Sequence, residues 1–166
     1  MRLWDVSSGE AVATLRGHTD VVMGVAFAMD GSTLASSSQD TTVKLWELAS
    51  GEEVATLTGH GAAVRSLAFS PDGVTLATGG WDRTVKLWDV ALREEMSTLE
   101  GAGGASVAFA ADGATLATGT DSGAVKLWNV DSGEELATLQ GHTYTLSSVA
   151  FSPNGETLST GGSDDK

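Results

Sequence analysis

Three histidines recur in the chain, each followed at fixed distances by a Ser or Thr and by an Asp. His18 precedes Ser36 by 18 residues and Asp40 by 22, and His60 and His142 have equivalent partners at the same spacings. A hydroxyl, an imidazole and a carboxylate are the groups that hydrolases combine for nucleophilic catalysis. The same groups can instead form a buried chain of hydrogen bonds, because a hydroxyl both donates and accepts.

Repetition favours the structural interpretation, since all three histidines of the protein occupy this one position. A shared metal ion is disfavoured, because histidines in different repeats would lie too far apart to bind it together. The absence of Cys excludes a thiol nucleophile, a disulfide scaffold and a cysteine zinc site. The sequence has no phosphate-binding, dinucleotide-binding or serine-hydrolase motif. We therefore expect a protein that is not an enzyme, with no metal and no cofactor.

Aromatic residues mark the repeating unit that must position these groups. They form two series, spaced by 42 or 40 residues, which are Phe27, Phe69, Phe109 and Phe151 and Trp4, Trp46, Trp88 and Trp128. Both series lose two residues in the third copy, which indicates one shortened loop. We assign whole repeats to residues 17–58, 59–100 and 101–140, and half units to residues 1–16 and 141–166.

Each unit predicts four antiparallel strands. Its apolar runs are short, rich in Val and Leu and bounded by Gly, Asp and Ser, and an Asp-Gly or Asn-Gly pair follows the first run. Such pairs supply the positive φ that a tight hairpin needs. A single four-stranded sheet cannot bury both of its faces, so the copies must stack, and radial stacking gives a propeller. The sequence therefore predicts an all-β propeller.

The repeated motifs also resemble those of a known family. The motifs are Gly-His opening the unit, Asp-Gly at the first turn, Leu-Ala-Ser or Leu-Ala-Thr, an Asp in the second turn and then Trp-Asp, and most units carry each of them or a close variant. This pattern resembles the WD-repeat β-propeller family, and the resemblance covers essentially the whole chain. It implies a scaffold of four-stranded blades that binds other proteins.

The resemblance further implies a structural relay in which His, Ser or Thr, Asp and Trp tie the strands of a blade together. The matching sets are His18, Ser36, Asp40 and Trp46, then His60, Thr78, Asp82 and Trp88, and finally His142, Thr160, Asp164 and Trp4. The third copy keeps Thr118 and Trp128, but Ala102 replaces the His and Ser122 the Asp. We expect this copy to be the least stable.

The last set would come from a blade split between the two ends of the chain, because the half units are in register. Blades shaped for a ring of seven or eight would not close as a ring of four without opening their packing. Two chains would supply eight blades, so a homodimer with two-fold symmetry is one expectation. A fragment of a larger propeller fits the same register equally well.

In the family, partners bind around the mouth of the central channel. The positions that resemblance places there include Met23, Gln39, Arg65 and Trp81, and Tyr144 is a further candidate. Trp81 lies outside the repeating Trp series, where a large aromatic has no structural duty, and aromatic residues and Arg are enriched at interface centres. A self-assembly unit and a propeller enzyme with a site in the channel are the alternative functions.

Charge narrows the class of partner. The chain carries 22 acidic and 9 basic residues, a net charge of −13, which opposes binding to nucleic acid or to an anionic membrane. The longest apolar run spans residues 21–29, too short to cross a membrane, and the first residues do not form a signal peptide. We expect a cytoplasmic protein with protein or peptide partners. Paired acids at 52–53, 94–95 and 134–135 are solvated turn residues or a docking surface for a basic peptide.

Overall fold

A computed structural model describes residues 1–164 of the chain, and these residues form strands joined by turns. The strands are β1 (Arg2–Trp4), β2 (Ala11–Thr14), β3 (Val22–Phe27), β4 (Thr33–Ser38), β5 (Val43–Glu47), β6 (Glu52–Leu57), β7 (Val64–Phe69), β8 (Thr75–Gly80), β9 (Thr84–Asp89), β10 (Glu94–Glu100), β11 (Ser106–Phe109), β12 (Thr115–Gly119), β13 (Val125–Asn129), β14 (Glu135–Leu139), β15 (Leu146–Phe151) and β16 (Leu158–Gly162). The predicted all-β class is confirmed. No helix long and apolar enough to cross a membrane occurs in this part of the chain.

The strands form three antiparallel sheets of four strands, each in chain order. Blade 1 contains β3 to β6, blade 2 contains β7 to β10 and blade 3 contains β11 to β14. Two further sheets have two strands each: the N-terminal pair, β1 and β2, and the C-terminal pair, β15 and β16. The first strands of successive sheets, β3, β7, β11 and β15, contact one another, as the inner strands of a propeller do.

Turn chemistry shapes the first hairpin of every blade. In blade 2 the Asp72 carboxylate accepts hydrogen bonds from the Ser70 hydroxyl and from the backbone N–H of Val74. Gly73 has a φ of 75°, a left-handed conformation that costs glycine little. An Asp-Gly pair thus reverses the chain between β7 and β8, as the sequence predicts.

The core consists of contacts between neighbouring blades. Apolar side chains of β4 to β6 in blade 1, including Leu45 and Leu57, pack against Leu76 and Trp88 of blade 2. Blade 2 packs in the same way on Trp128 of blade 3. Blades 2 and 3 therefore each bury a Trp against the blade before them, and the apolar area removed from water holds the series together.

The two strand pairs occupy opposite ends of this series. The N-terminal pair packs Met1, Leu3 and Leu15 against Leu34 and Trp46 of blade 1. The C-terminal pair packs against blade 3. Within residues 1–164, β1 has only β2 as a paired neighbour and β16 has only β15, so the two pairs do not join into one sheet.

Candidate functional site

The histidines of blades 1 and 2 lie in complete relays. His18 places Nδ1 2.8 Å from the Asp40 carboxylate and Nε2 2.8 Å from the Ser36 hydroxyl, which also accepts a hydrogen bond from the indole N–H of Trp46 at 2.8 Å. Blade 2 repeats this geometry at distances of 2.8 to 2.9 Å, through the residues His60, Asp82, Thr78 and Trp88. All four expected members of both sets are therefore brought together.

The donor and acceptor of each hydrogen bond in the relay follow from the groups at its two ends. An ionised carboxylate only accepts and an indole N–H only donates. Burial lowers the pKa of His60, although its hydrogen bond to Asp82 opposes that shift, so the ring is neutral at pH 7. Trp88 then donates to Thr78, Thr78 donates to Nε2 of His60, and Nδ1 donates to Asp82. Each side chain of this relay therefore has a hydrogen-bond partner.

These sets have the hydrogen-bond order of a catalytic triad, but their hydroxyls are not accessible to a substrate. The Ser36 and Thr78 side chains are completely buried, so no substrate could reach their hydroxyl oxygens. Each hydroxyl also has an indole N–H bound to it, which reduces its value as a nucleophile. Among residues 1–164, no three His, Asp or Glu side chains come together as a metal site.

The Asp of each relay is held in its ionised form. Burial raises the pKa of Asp40, but hydrogen bonds from the Thr42 hydroxyl, the Thr19 amide and His18 outweigh it and bring the pKa below its usual range. The pKa of Asp82 is lowered in the same way, against the effect of burial. The Thr two positions after the Asp is a relay member that sequence reasoning missed, although its spacing is visible in the first two repeats.

This arrangement predicts how acid destabilises the protein. The Asp82 carboxyl has an unfolded pKa of about 3.9 and a lower folded pKa, so its contribution is complete above about pH 5 and is lost as the pH falls through the folded pKa. We expect Asp82→Asn to reduce the free energy of unfolding at pH 7, and the difference from the unmodified chain to shrink below about pH 4. Urea unfolding from pH 3 to 8 measures this difference, and one that does not change with pH would contradict it.

Blade 3 lacks part of the relay. The indole N–H of Trp128 still donates to Thr118, at 3.0 Å, but Ala102 is buried where the other blades have His. The Ser122 hydroxyl lies 2.9 Å from that of Thr120, which in turn bonds to the backbone of Ala124. The lower stability expected for this blade stays a prediction.

Three of the four members of the relay expected across the split blade come together within one chain, and Trp4 does not. His142 contacts the Asp164 carboxylate and lies 3.0 Å from the Thr160 hydroxyl. The hydrogen bonds from His142 and from the Thr143 amide lower the pKa of Asp164 to about 2. Trp4 does not reach this set, because its strand packs on blade 1 while β16 packs at the far end of the series, and its side chain is 56% exposed.

Three of the four innermost strands contain a β-bulge. The pairing register shifts at Met23 in β3, at Arg65 in β7 and at Ser147 in β15, whereas β11 in blade 3 pairs without a shift. A bulge adds one residue to a strand and redirects its side chain, and bulges are common beside functional sites. Two of the expected partner-binding residues, Met23 and Arg65, are therefore bulge residues, which the repeat pattern alone does not show.

Trp81 is the largest exposed side chain among the expected partner-binding residues. It lies in the turn after β8, and its backbone N–H donates to Ala63 at 2.9 Å, directly before the strand that carries Arg65. Its indole is 54% exposed, and the structure gives it no hydrogen bond within residues 1–164. A fixed backbone under an exposed aromatic suits an interface anchor.

The other candidates differ in exposure. Gln39 occupies the position of Trp81 in blade 1 and is half-buried, with its N–H bound to Val21. Met23 is also half-buried, whereas Tyr144 is exposed in the loop before β15. We call Met23, Gln39, Arg65 and Trp81 the bulge face.

The paired acids have two different roles in the structure. In the second pair, Glu95 accepts two hydrogen bonds from Lys86, both at 2.9 Å, and a third from the Thr98 hydroxyl at 2.5 Å, whereas Glu94 is exposed. Blades 1 and 3 also pair the second acid of each pair with a Lys. Half of these acids are therefore already neutralised, which weakens the interpretation of them as a docking surface for a basic peptide.

Comparison with known proteins agrees with this architecture. A family model described as the IFT122 first β-propeller matches residues 1–166. WD repeat and SOCS box-containing protein 1 of Danio rerio is 42% identical over 45 residues, a segment that covers 26% of this chain and 11% of that protein. The chain thus corresponds to a small part of that relative's length. The WD-repeat resemblance is confirmed, and the chain belongs to the family of the IFT122 first β-propeller.

Proposed function

We propose that the protein is a non-catalytic interaction scaffold whose bulge face binds a protein or peptide partner. The observation that carries this proposal is Trp81, an exposed indole on a fixed turn beside a bulge that carries Arg65. Trp and Arg are enriched among the residues that contribute most to binding. The propeller family supports a role in protein interaction, and the net charge of −13 favours a neutral or basic partner over nucleic acid.

Replacement of Trp81 with Ala tests this function. We expect Trp81→Ala to weaken retention of a partner by roughly 30-fold or more, because anchor residues of this kind contribute about 2 kcal/mol or more. Thermal unfolding should be nearly unchanged, since half of the side chain is already in water. Leu92→Ala is the matched control, because Leu92 is exposed in the turn at the other end of β9. Cross-linking from a photoreactive residue at position 65 identifies the partner, and equal retention by both variants would contradict the proposal.

We infer a second role, self-association, from apolar side chains that are left uncovered at the two ends of the series of blades. In blade 1, Phe27 is 59% exposed, whereas the equivalent Phe69 and Phe109 are covered by the blade before them. In blade 3, Leu139 is exposed, whereas the equivalent Leu57 is buried against blade 2. The N-terminal pair of a second copy would cover Leu139, and the C-terminal pair would cover Phe27.

The incomplete relay supports this pairing. Within residues 1–164, the Thr160 hydroxyl binds His142 but accepts from no indole, and the Trp4 indole donates to no hydroxyl. If β1 of a second copy paired with β16, the Trp4 indole of that copy could donate to the Thr160 hydroxyl. Light scattering over a tenfold range of concentration should give twice the chain mass, and Trp4→Ala should give the single chain mass while Leu92→Ala stays dimeric. A monomer at every concentration would exclude self-association and leave other propeller strands as the neighbours of these edges.

A further inference from the structure

A pocket opens in blade 3 beside Arg83 of blade 2. Its volume is about 500 Å³, and it opens between the turn after β12 and the end of β14. Most of the lining residues are polar or charged, namely Arg83, Thr120, Asp121, Ser122, Lys126, Thr138 and Gln140. It lies outside the bulge face, so an inference drawn from it does not depend on the proposed partner surface.

The pocket arises from small residues where blade 2 has large ones. Ser122 stands at the position of Asp82, and Ala124 at the position of Thr84, whose hydroxyl binds that Asp. The preceding loop also moves away from the sheet. A Cβ on Gly59 in blade 2 would lie 3.0 Å from Glu95 and 3.3 Å from the Trp88 ring, whereas a Cβ on the equivalent Gly101 would meet nothing within 4 Å.

This loop change uncovers a lysine. In blade 2, Nζ of Lys86 donates to both oxygens of Glu95 and to the Thr98 hydroxyl, and its side chain is 11% exposed. In blade 3, Lys126 donates only to Glu135 among the described residues, and its side chain is 25% exposed. An ammonium group has three N–H donors, so Lys126 has donors available toward the pocket.

The lining of the pocket is less acidic than the chain as a whole. Acidic residues outnumber basic ones by 22 to 9 overall, yet two of the lining residues are basic, Arg83 and Lys126, and one is acidic, Asp121. Within residues 1–164, Arg83 forms no ion pair. Because Glu135 is bound to Lys126, the charges at the pocket balance, and Arg83 is the cation that an anionic ligand would meet without a competing ion pair among the described residues.

We propose that this pocket binds a carboxylate group carried by a ligand from outside the chain. In blades 1 and 2 and in the C-terminal pair, the equivalent position holds a carboxylate of the chain itself, that of Asp40, Asp82 or Asp164, bound by a nearby hydroxyl or imidazole. In blade 3 the carboxylate is missing, and Ala102 and Ala124 replace the imidazole and the Thr hydroxyl that bind it in the other blades. The pocket offers other donors in their place, the hydroxyls of Thr120 and Ser122.

A single negative charge fits this site better than a double one. Asp121 lies at the pocket and Glu135 is bound to Lys126, so a phosphate dianion would meet two carboxylates at close range. A carboxylate can accept from Lys126, from the guanidinium of Arg83 and from one hydroxyl, and charge-assisted hydrogen bonds of this kind are the strong ones. The source is a free small acid or the acidic side chain of a peptide.

Titration of the full chain, followed by amide chemical shifts, tests this site. The probes are acetate, N-acetylglutamate amide, its neutral counterpart N-acetylglutamine amide, and inorganic phosphate. We expect saturable shifts at Gly101, Ser122 and Gln140 with the glutamate compound and none with the glutamine compound. Equal binding of acetate would identify a free small acid as sufficient, and weaker acetate binding would favour a peptide side chain. Tighter binding of phosphate, or equal shifts with both amides, would overturn the proposal.

Three variants separate binding from folding. Lys126→Met keeps a side chain of similar length but removes the ammonium group, whose Nζ lies 5.4 Å from the centre of the Trp128 ring, and should weaken binding of the glutamate compound about tenfold. Ser122→Asp supplies an internal carboxylate, as the other blades do, and should abolish binding. Ser132→Asp adds the same charge at the other end of β13, in an exposed turn, and should bind as the unmodified chain does. If the two Asp variants bound the glutamate compound with equal affinity, the proposed site would be wrong.

Discussion

Replacing Thr78 with Val is expected to lower the free energy of unfolding by about 2 to 4 kcal/mol. The Thr78 hydroxyl accepts from the indole of Trp88 and donates to Nε2 of His60, at 2.8 Å in both cases, and the side chain is completely buried. Valine has nearly the same shape, so little packing is lost. Two buried polar groups would lose their partner at once, and each such loss costs about 1 to 3 kcal/mol.

Blade 3 offers the matched control. Thr118 is equally buried and accepts from Trp128 at 3.0 Å, but Ala102 stands where the His would be, so Thr118→Val breaks one relay bond where Thr78→Val breaks two. We expect a loss of about 1 to 2 kcal/mol for Thr118→Val. Urea unfolding of both variants at pH 7 measures the difference. A Thr118→Val loss as large as that of Thr78→Val would mean that the imidazole contributes nothing to the relay.

The sequence was sufficient for the relays of blades 1 and 2 because all their members recur at fixed spacings. A repeat of identical spacing fixes which strands carry His18, Ser36 and Asp40, and the hydrogen-bonding needs of His and Trp then allow few arrangements. The four-stranded units follow for a similar reason, since Asp-Gly turns and alternating apolar residues act locally.

Features that depend on contacts between repeats could not be predicted in this way. The bulges at Met23 and Arg65 depend on how the first strand meets its neighbour, and no residue type marks them. The pocket of blade 3 depends on where the loop at Gly101 settles after losing two residues. The place of Trp4 depends on which sheet its strand joins, and register alone left that open.

The shortened loop of blade 3 also forms a contact that the sequence did not reveal. Backbone atoms of Gly104 lie directly on β8 of blade 2, and the carbonyl oxygen of Gly104 accepts a hydrogen bond from the Ser66 hydroxyl at 3.1 Å. A Cβ built on Gly79 would lie 2.5 Å from that oxygen. Blade 3 therefore exchanges part of its relay for close backbone packing between two glycines.

Gly79→Ala is expected to destabilise the protein by about 2 to 4 kcal/mol, because the added methyl group meets backbone that cannot rotate away. The φ of Gly79 lies outside the left-handed region, so the conformation itself suits alanine and the cost comes from the contact alone. Thermal or urea unfolding measures the loss, and hydrogen exchange should show it concentrated in blades 2 and 3.

Gly161→Ala separates this contact from a general effect of alanine in the strand. Gly161 holds the same place in β16, and a Cβ there would be no closer than 4.0 Å to any neighbour. Alanine at this position should be neutral or stabilise by about 0.5 kcal/mol, as a less flexible residue does in a strand. Blade 1 already carries Ser37 at the equivalent position, so a longer loop leaves room for a side chain. If both alanine variants unfold alike, the glycine contact does not hold blade 3 in place, and its stability must come from the apolar cluster shared with blade 2.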